Sequence, residues 1–443
     1  MKVTRLPIDP GPAGWNCLLP KAEPATPLDG DITADWLVIG AGFAGLAAAR
    51  RLWQLDPGGR IVILDAVGIG QGPAGRNSGF MIDLPHDLAS DDYGGALEAD
   101  RAQTIANRTA IEFAAETANA FGLDEEAFAL SGKVNAAATD KGHQHNIDYA
   151  RHLTALGESH RMMDAGEMQS LTGTDYYRSG LFTPGCAMVQ PAKFVRGVAN
   201  GLRTAGVAIH EQSPVLALER RGDWVATTPK GTVTAPRVVL AVNGHLNSFG
   251  HYAGRLMHVF TYASMTRPLK RDEIAALGGQ ARWGVTPADP MGTTVRRISG
   301  EGGDRIVIRN RFTIDQSMEV SARRIAQVAR DHGRAFAARF PMLPGVEMEY
   351  RWGGRLCVSR NNTQVVEELE PGLFAACCQN GLGVAKGTLG GMVAAELAAG
   401  QPSAVARDVA AGGKPNRLPP RPLTMVGGNL WLRMQERRAG AEL

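Results

Sequence analysis

Asp35-Trp-Leu-Val-Ile39, Gly40-Ala-Gly42-Phe-Ala-Gly45 and Leu46-Ala-Ala-Ala-Arg-Arg-Leu-Trp-Gln-Leu55 decide the fold. A short apolar run of strand formers enters a Gly-x-Gly-x-x-Gly turn, and a strong helix sequence leaves it. Asp56-Pro-Gly-Gly59 breaks that helix, and Arg60-Ile-Val-Ile-Leu64 reads as a second strand ending at Asp65. Strand, turn, helix and strand together make the glycine pattern a dinucleotide-binding signal. Gly40 permits the tight turn, Gly42 lets a diphosphate approach bare backbone, and Gly45 lets the helix pack closely on the strand. Phe43 and Ala44 add free amides at the positive end of the helix, facing the phosphates. Asp65 lies 20 residues beyond Gly45. With Ala66 beside it, its carboxylate is placed to accept from ribose hydroxyls and would repel a 2′-phosphate, which argues against NADP.

Outward from this unit, composition sets the limits. The chain has 443 residues, 44% apolar and 21% charged, with a net charge of +3. That excludes disorder and fibrous classes, and gives no case for nucleic acid or an anionic surface as partner. The 54 glycines are the outlier. The five cysteines, Cys17, Cys186, Cys357, Cys377 and Cys378, form no Cys-x-x-Cys, so neither a disulfide framework nor a metal site is expected. Proline interrupts the first 31 residues where a signal peptide needs an apolar stretch, and no uncharged run is long enough to span a membrane; a cytoplasmic protein is expected.

A second glycine-rich loop, Gly68-Ile-Gly-Gln-Gly72-Pro-Ala-Gly75-Arg-Asn-Ser-Gly79-Phe-Met81, follows the second strand. The first turn alone does not separate FAD from NAD. Two bare-backbone loops in succession suit a long, flat cofactor. Residues 35–45, Asp65 and Ala74-Gly-Arg-Asn-Ser-Gly79 resemble the FAD-dependent D-amino-acid oxidase superfamily, in its branch of glycine, sarcosine and γ-glutamylputrescine oxidases. Gly180-Leu-Phe-Thr-Pro-Gly-Cys-Ala-Met-Val-Gln-Pro191, Trp352-Gly-Gly354 and Pro371-Gly-Leu-Phe-Ala-Ala-Cys-Cys-Gln-Asn-Gly381-Leu-Gly383 extend the likeness over residues 25 to 405.

The resemblance implies a mixed α/β fold. A Rossmann-like FAD-binding domain would be assembled from the discontinuous segments 31–95, 180–250 and 350–405. An inserted antiparallel-sheet substrate domain would come from 96–179 and 251–349. Residues 1–30 read as an extended leader, and 406–443 as a basic, solvated tail or surface helix. Gly75, Arg76, Asn77, Ser78 and Gly79 are implied at the flavin, Val215 at the adenine, and Ala241, Asn243 and Gly244 where a strand returns to the cofactor. Gly381, Gly383, Val384 and Lys386 are implied at the flavin pyrimidine, where a helix N-terminus stabilises the negative charge of reduced flavin. The family includes a member with cysteine-linked flavin; Cys357 lies near that position but not on it, so FAD is expected to be non-covalent.

The implied chemistry is oxidation of an amine or amino acid C–N bond. Hydride passes to flavin N5, the imine hydrolyses, and O2 reoxidises the flavin to give H2O2. The flavin carries the hard step, and orientation of the substrate carries the rate. Two alternatives stand beside it: a dehydrogenase passing electrons to a quinone or protein acceptor, and a flavoprotein subunit of a larger complex. Candidate substrate contacts are His258, Tyr262, Met265 and Arg267 on one strand, Arg296, Arg297, Arg309 and Arg311 on its neighbours, Arg355, and His86 after the flavin loop. One arginine is expected to clamp an acidic group on the substrate; for each, a salt bridge is the competing role. His143-Gln-His145 reads as a polar loop.

Overall fold

The computed structural model of the chain describes residues 1–9, 11–85 and 95–443. His86 lies outside the described residues. Among them the strands form four sheets, two of which frame the site.

The first is six-stranded. Its order is Ala208–His210, Ile61–Leu64, Trp36–Ile39, Arg237–Leu240, Leu373–Cys377, Val365–Glu370. All neighbours run parallel except the last pair. The central strands read as continuous apolar runs because helices cover one face and a further apolar layer the other. Helices Phe43–Leu55 and Gly383–Ala398 cross on that sheet so closely that a Cβ on Gly391 would sit 2.0 Å from the Ala44 carbonyl oxygen. This contact explains why the second helix is rich in glycine and alanine, including Gly387, Gly390 and Gly391. Gly45 acts the same way toward the strand, its Cβ position falling 1.7 Å from the Gly40 carbonyl oxygen.

The second sheet is eight-stranded: Met348–Ser359, Leu256–Thr266, Gly303–Ile314, Thr294–Gly300, Trp283–Pro287, Lys133–Ala137, Ser179–Thr183, Arg161–Met163. It is antiparallel but for one pair, Trp283–Pro287 beside Lys133–Ala137. Helix Ala322–Arg339 covers one face through Ile325 and Val328.

Several expectations shift. Strands Ser179–Thr183 and Met348–Ser359, assigned from sequence to the nucleotide segments, pair into the larger sheet. Helix Leu97–Ala120, assigned to the substrate segment, packs Ala110, Ile111, Ala114 and Ala118 into the core of the six-stranded sheet, while Ile105 stays exposed. His143 and His145 lie on helix Asp140–Leu156, started by Thr139 capping the Gly142 amide, not in a loop.

The leader is more than extended chain. Residues 14–17 form a helical turn whose Trp15 is fully buried, donates to the Asn77 carbonyl at 2.8 Å and stands edge-on to Trp352. The tail is not solvated either. Helix Arg421–Arg438 docks on strand Gly303–Ile314, and the buried Glu442 carboxylate accepts from the Ala138 and Thr139 amides. Both ends of the chain are anchored by specific polar contacts, which hydropathy does not register.

Candidate functional site

A cleft with about 1390 Å³ of empty space, partly open to solvent, runs from the carboxyl ends of the first two strands toward the larger sheet. Such a position, at the strand ends of an open α/β sheet, is where this architecture accepts ligands. Gly40, Gly42, Phe43 and Ala44 form its middle, with Asp65, Ala66, Ser213 and Val215 toward one end. Ala241, Asn243, Gly244, Gly381, Gly383 and Asn77 continue the wall. Arg355, Cys357 and His245 lie toward the other end.

Two helix N-termini meet here, at Phe43 and Gly383, and neither has a side-chain cap. Their unpaired amides make an anion cradle. Gly40, at φ +103°, turns the chain within 2.7 Å of the Ala241 carbonyl, measured from where its Cβ would lie. Next to Gly42 the first neighbouring atom is Ala74 Cβ at 3.5 Å, so bare backbone faces the cleft. Asp65 accepts from the Ala41 amide at 2.6 Å and the Val67 amide at 2.9 Å. Burial pushes its carboxyl up to about 6 against the pull of those amides, with Glu211 adding a further push. An uncapped diphosphate cradle beside a half-buried carboxylate is the donor and acceptor set a dinucleotide asks for.

Several of the other sequence candidates brace the walls instead of lining the cleft. Arg76 is buried and donates to the carbonyls of Gln71, Gly353 and Gly11, tying the glycine loop to the large sheet and the leader. Gly75 packs on Gly70, with its Cβ position 1.8 Å from the Gly70 carbonyl oxygen. Ser78 and Gly79 form a turn at φ +79° held by Arg296, whose Nη1 donates to the Ser78 and Val189 carbonyls at 2.8 Å. Val384 lies in the core and Lys386 is buried one turn along, both off the cleft lining.

The substrate candidates divide. Arg355 lines the cleft, donates to the Met318 carbonyl at 2.8 Å and pairs with Asp9 at 3.7 Å. His258 is buried directly behind Gly244, its Nδ1 2.7 Å from where a Gly244 Cβ would lie. Burial, with Arg355 adding to it, lowers His258 to about 4 and His245 to about 3, so both are neutral near pH 7. Tyr262 lies off the cleft lining. It packs with Phe260, Ile325 and Val328 under helix Ala322–Arg339 and bonds to Thr313 Oγ1 at 2.5 Å. Arg309 lies 4.7 Å over the Phe312 ring, away from the cleft lining. Arg267, Arg297 and Arg311 are engaged by Glu273, Asp304, and Asp331 with Glu436. Met265 is buried with Trp15 and Trp352.

Sequence reasoning missed the leader's share in the site. Val3, Arg5, Leu6 and Pro7 line the cleft, and Thr4 pairs with the Ser248 carbonyl at 3.0 Å. Residues 3–9 thus form a strap along the cleft mouth, from Val215 toward Arg355. His245 and Gln379 were also missed. An isolated polar residue in a loop carries no periodic signal; the leader's Trp15, an aromatic amid prolines, was the one available hint.

These contacts and the fold define a nucleotide-binding oxidoreductase architecture. The chain belongs to the DAO family of FAD-dependent oxidoreductases, whose family model matches residues 35–397. It is 27% identical over 412 residues to the probable oxidoreductase OrdL of Rhizobium meliloti, covering 89% of this chain and 90% of that one. It is 25% identical over 388 residues to the gamma-glutamylputrescine oxidoreductase of Escherichia coli, covering 86% and 87% of the two chains. Among solved structures, glycine oxidase from Geobacillus kaustophilus superposes with a TM-score of 0.68 at 20% identity, covering 84% of this chain and 96% of that one. No helix among the described residues is long and apolar enough to cross a membrane.

Proposed function

We propose that the chain oxidises a C–N bond of an amine or amino acid, with O2 as electron acceptor. The FAD diphosphate would lie on the Gly40–Ala44 amides, its ribose on Asp65, its adenine against Val215, and its ring toward Gly381, Cys357 and Arg355. When bound, flavin supplies the two-electron acceptor for a hydride leaving the carbon next to nitrogen, and returns the electrons to O2 as H2O2.

What carries the reading is the buried Arg355 at the end of a cleft headed by two uncapped helix N-termini. Neutral His245 and His258 add no charge there; Arg5, which donates to the Ser317 carbonyl, and the buried Arg355, which pairs with Asp9, are the arginines of the lining, and we take Arg355 as the one that an acidic group on the substrate would meet. The chain's share of the reaction is to fix that substrate and keep water out, with no side-chain nucleophile required. The gamma-glutamylputrescine oxidoreductase relative supports an amine with a distant acidic group as substrate class.

Non-covalent FAD is part of the proposal. The Cys357 thiol is raised well above its ordinary value by a hydrogen bond with Cys378 and by burial. The thiolate that would attack a flavin is therefore scarce.

The test is an anaerobic panel of amines and amino acids added to the yellow protein. Bleaching by at least one, followed by recolouring and peroxide on admitting air, is the expected result. Bleaching without recolouring would replace the oxidase reading with the dehydrogenase one. A panel without any bleaching would overturn C–N oxidation.

A further inference from the structure

Helix Arg421–Arg438 is docked inside out. Its polar residues face the protein. Asn429 accepts from the Ile314 amide at 3.0 Å and donates to the Ile314 carbonyl at 2.9 Å. Glu436, fully buried, accepts from the Phe312 amide and from Arg311 and Arg433. Leu432 packs with Phe312 and Ile314, but five other apolar side chains face outward. Leu423, Val426, Leu430, Trp431 and Met434 are 45% to 66% exposed, and their spacing puts them on one stripe. A helix held largely by polar groups while showing a continuous apolar stripe has a second surface to cover.

Charge selects what covers it. Exposed Arg421 sits at one end of the stripe, and exposed Arg437 and Arg438 at the other. The one acidic residue of the helix, Glu436, is buried and ion-paired, so the outward face carries no negative charge. A second copy meeting this stripe antiparallel would bring Arg421 against Arg437 and Arg438, like charge on like. An anionic lipid surface accepts both parts at once, the apolar side chains in the acyl boundary and the arginines among the headgroups, with Trp431 at the depth where indole is favoured. The small net charge of the whole chain hides this local concentration. The helix also lies beyond residue 397, where the family match ends.

We propose that this helix is a peripheral docking surface for an anionic phospholipid bilayer. The test uses the flavin-loaded full chain, sedimented with phosphatidylcholine vesicles and with phosphatidylglycerol-rich vesicles. The expected result is at least about tenfold more bound protein on the anionic vesicles, lost as salt is raised. Leu430→Glu/Trp431→Glu should abolish binding while leaving the flavin spectrum unchanged, and Arg437→Ser/Arg438→Ser should weaken it about thirtyfold. Brominated-acyl lipid should quench part of the wild-type tryptophan emission, and that part should be absent in Trp431→Phe. Three results would each overturn the proposal. One is no binding to anionic vesicles. Another is binding that survives Leu430→Glu/Trp431→Glu. The third is a lipid-free dimer that this double variant splits, which would make the stripe a contact between copies.

Discussion

Asp9 lies 3.7 Å from Arg355, and both side chains are more than nine-tenths buried. The leader thus places a carboxylate against the one substrate-candidate arginine that lines the cleft. Asp9 also acts on Arg76, the residue that ties the glycine loop to the large sheet. The pair makes the leader part of the site, not an appendage to it.

Removing one partner of a buried pair leaves the other charge uncompensated, at a cost of about 3–5 kcal/mol. Asp9→Asn is expected to lower the unfolding midpoint sharply. Asp9→Asn/Arg355→Met should recover a large part of the loss, because the orphaned cation is gone. Denaturant unfolding of both variants checks this; a double variant as unstable as the single one would show that Asp9 acts through other contacts.

Acid should destabilise the fold in a defined window. Burial lowers His245 to about 3, and His258 and His332 to about 4, against about 6.5 in the unfolded chain. Burial raises Asp65 to about 6 from 3.8. Between pH 4 and 6.5 the unfolded chain therefore binds three more protons at the histidines, and the folded chain one more at Asp65, over most of the window. With the unfolded state binding more, stability rises with pH across the window and falls as pH drops through it, by about 1.4 kcal/mol per pH unit for each uncompensated proton. His332 is away from the cleft, bonded to Ser264 at 2.7 Å. His332→Gln should flatten the slope by about one such proton, read from urea unfolding at several pH values. An unchanged slope would contradict the assignment.

The tail helix depends on Glu436, which satisfies the Phe312 amide and two guanidinium groups. Glu436→Ala leaves buried donors unpaired and should free the helix at a cost of about 3 kcal/mol or more. The expected readout is rapid proteolytic cleavage within residues 411–438 with the flavin spectrum retained; a protease-resistant tail would show that apolar contacts hold it.

How much of this was legible in the sequence follows from which signals are local. The first turn, Asp65 and the glycine helix could be read because each rests on a short, position-specific backbone need. The Gly391–Ala44 approach, for instance, is written directly as a glycine. Three strands of the large sheet alternate visibly, over 256–269, 293–298 and 305–312, but Ser179–Thr183 and Met348–Ser359 carried no such signal and join the sheet through partners far away in the chain. Side-chain surroundings were the weakest point. Tyr262 and His258 lie four residues apart on one face of a strand, yet helix Ala322–Arg339 covers Tyr262 while His258 meets Gly244 at the cleft wall. Arg76 was read as a flavin contact from the family resemblance and Arg296 as a substrate contact from its strand, whereas the hydrogen bonds of both guanidinium groups go to carbonyl oxygens. The leader strap and the inverted tail helix were unreadable because their anchors are single buried polar groups, Asp9 and Glu436, indistinguishable in sequence from solvated ones.

The central claim is that bare backbone at Gly42 and its neighbours cradles the FAD diphosphate. Its most direct measurement is the flavin released by heat from purified wild type and from Gly42→Val. A Cβ there meets only Ala74, at van der Waals distance, so the variant should fold, remain soluble and project its side chain into the diphosphate's place. The account predicts one FAD per wild-type chain and a folded, colourless Gly42→Val. Wild type without flavin, or a variant that keeps its full complement, would contradict it.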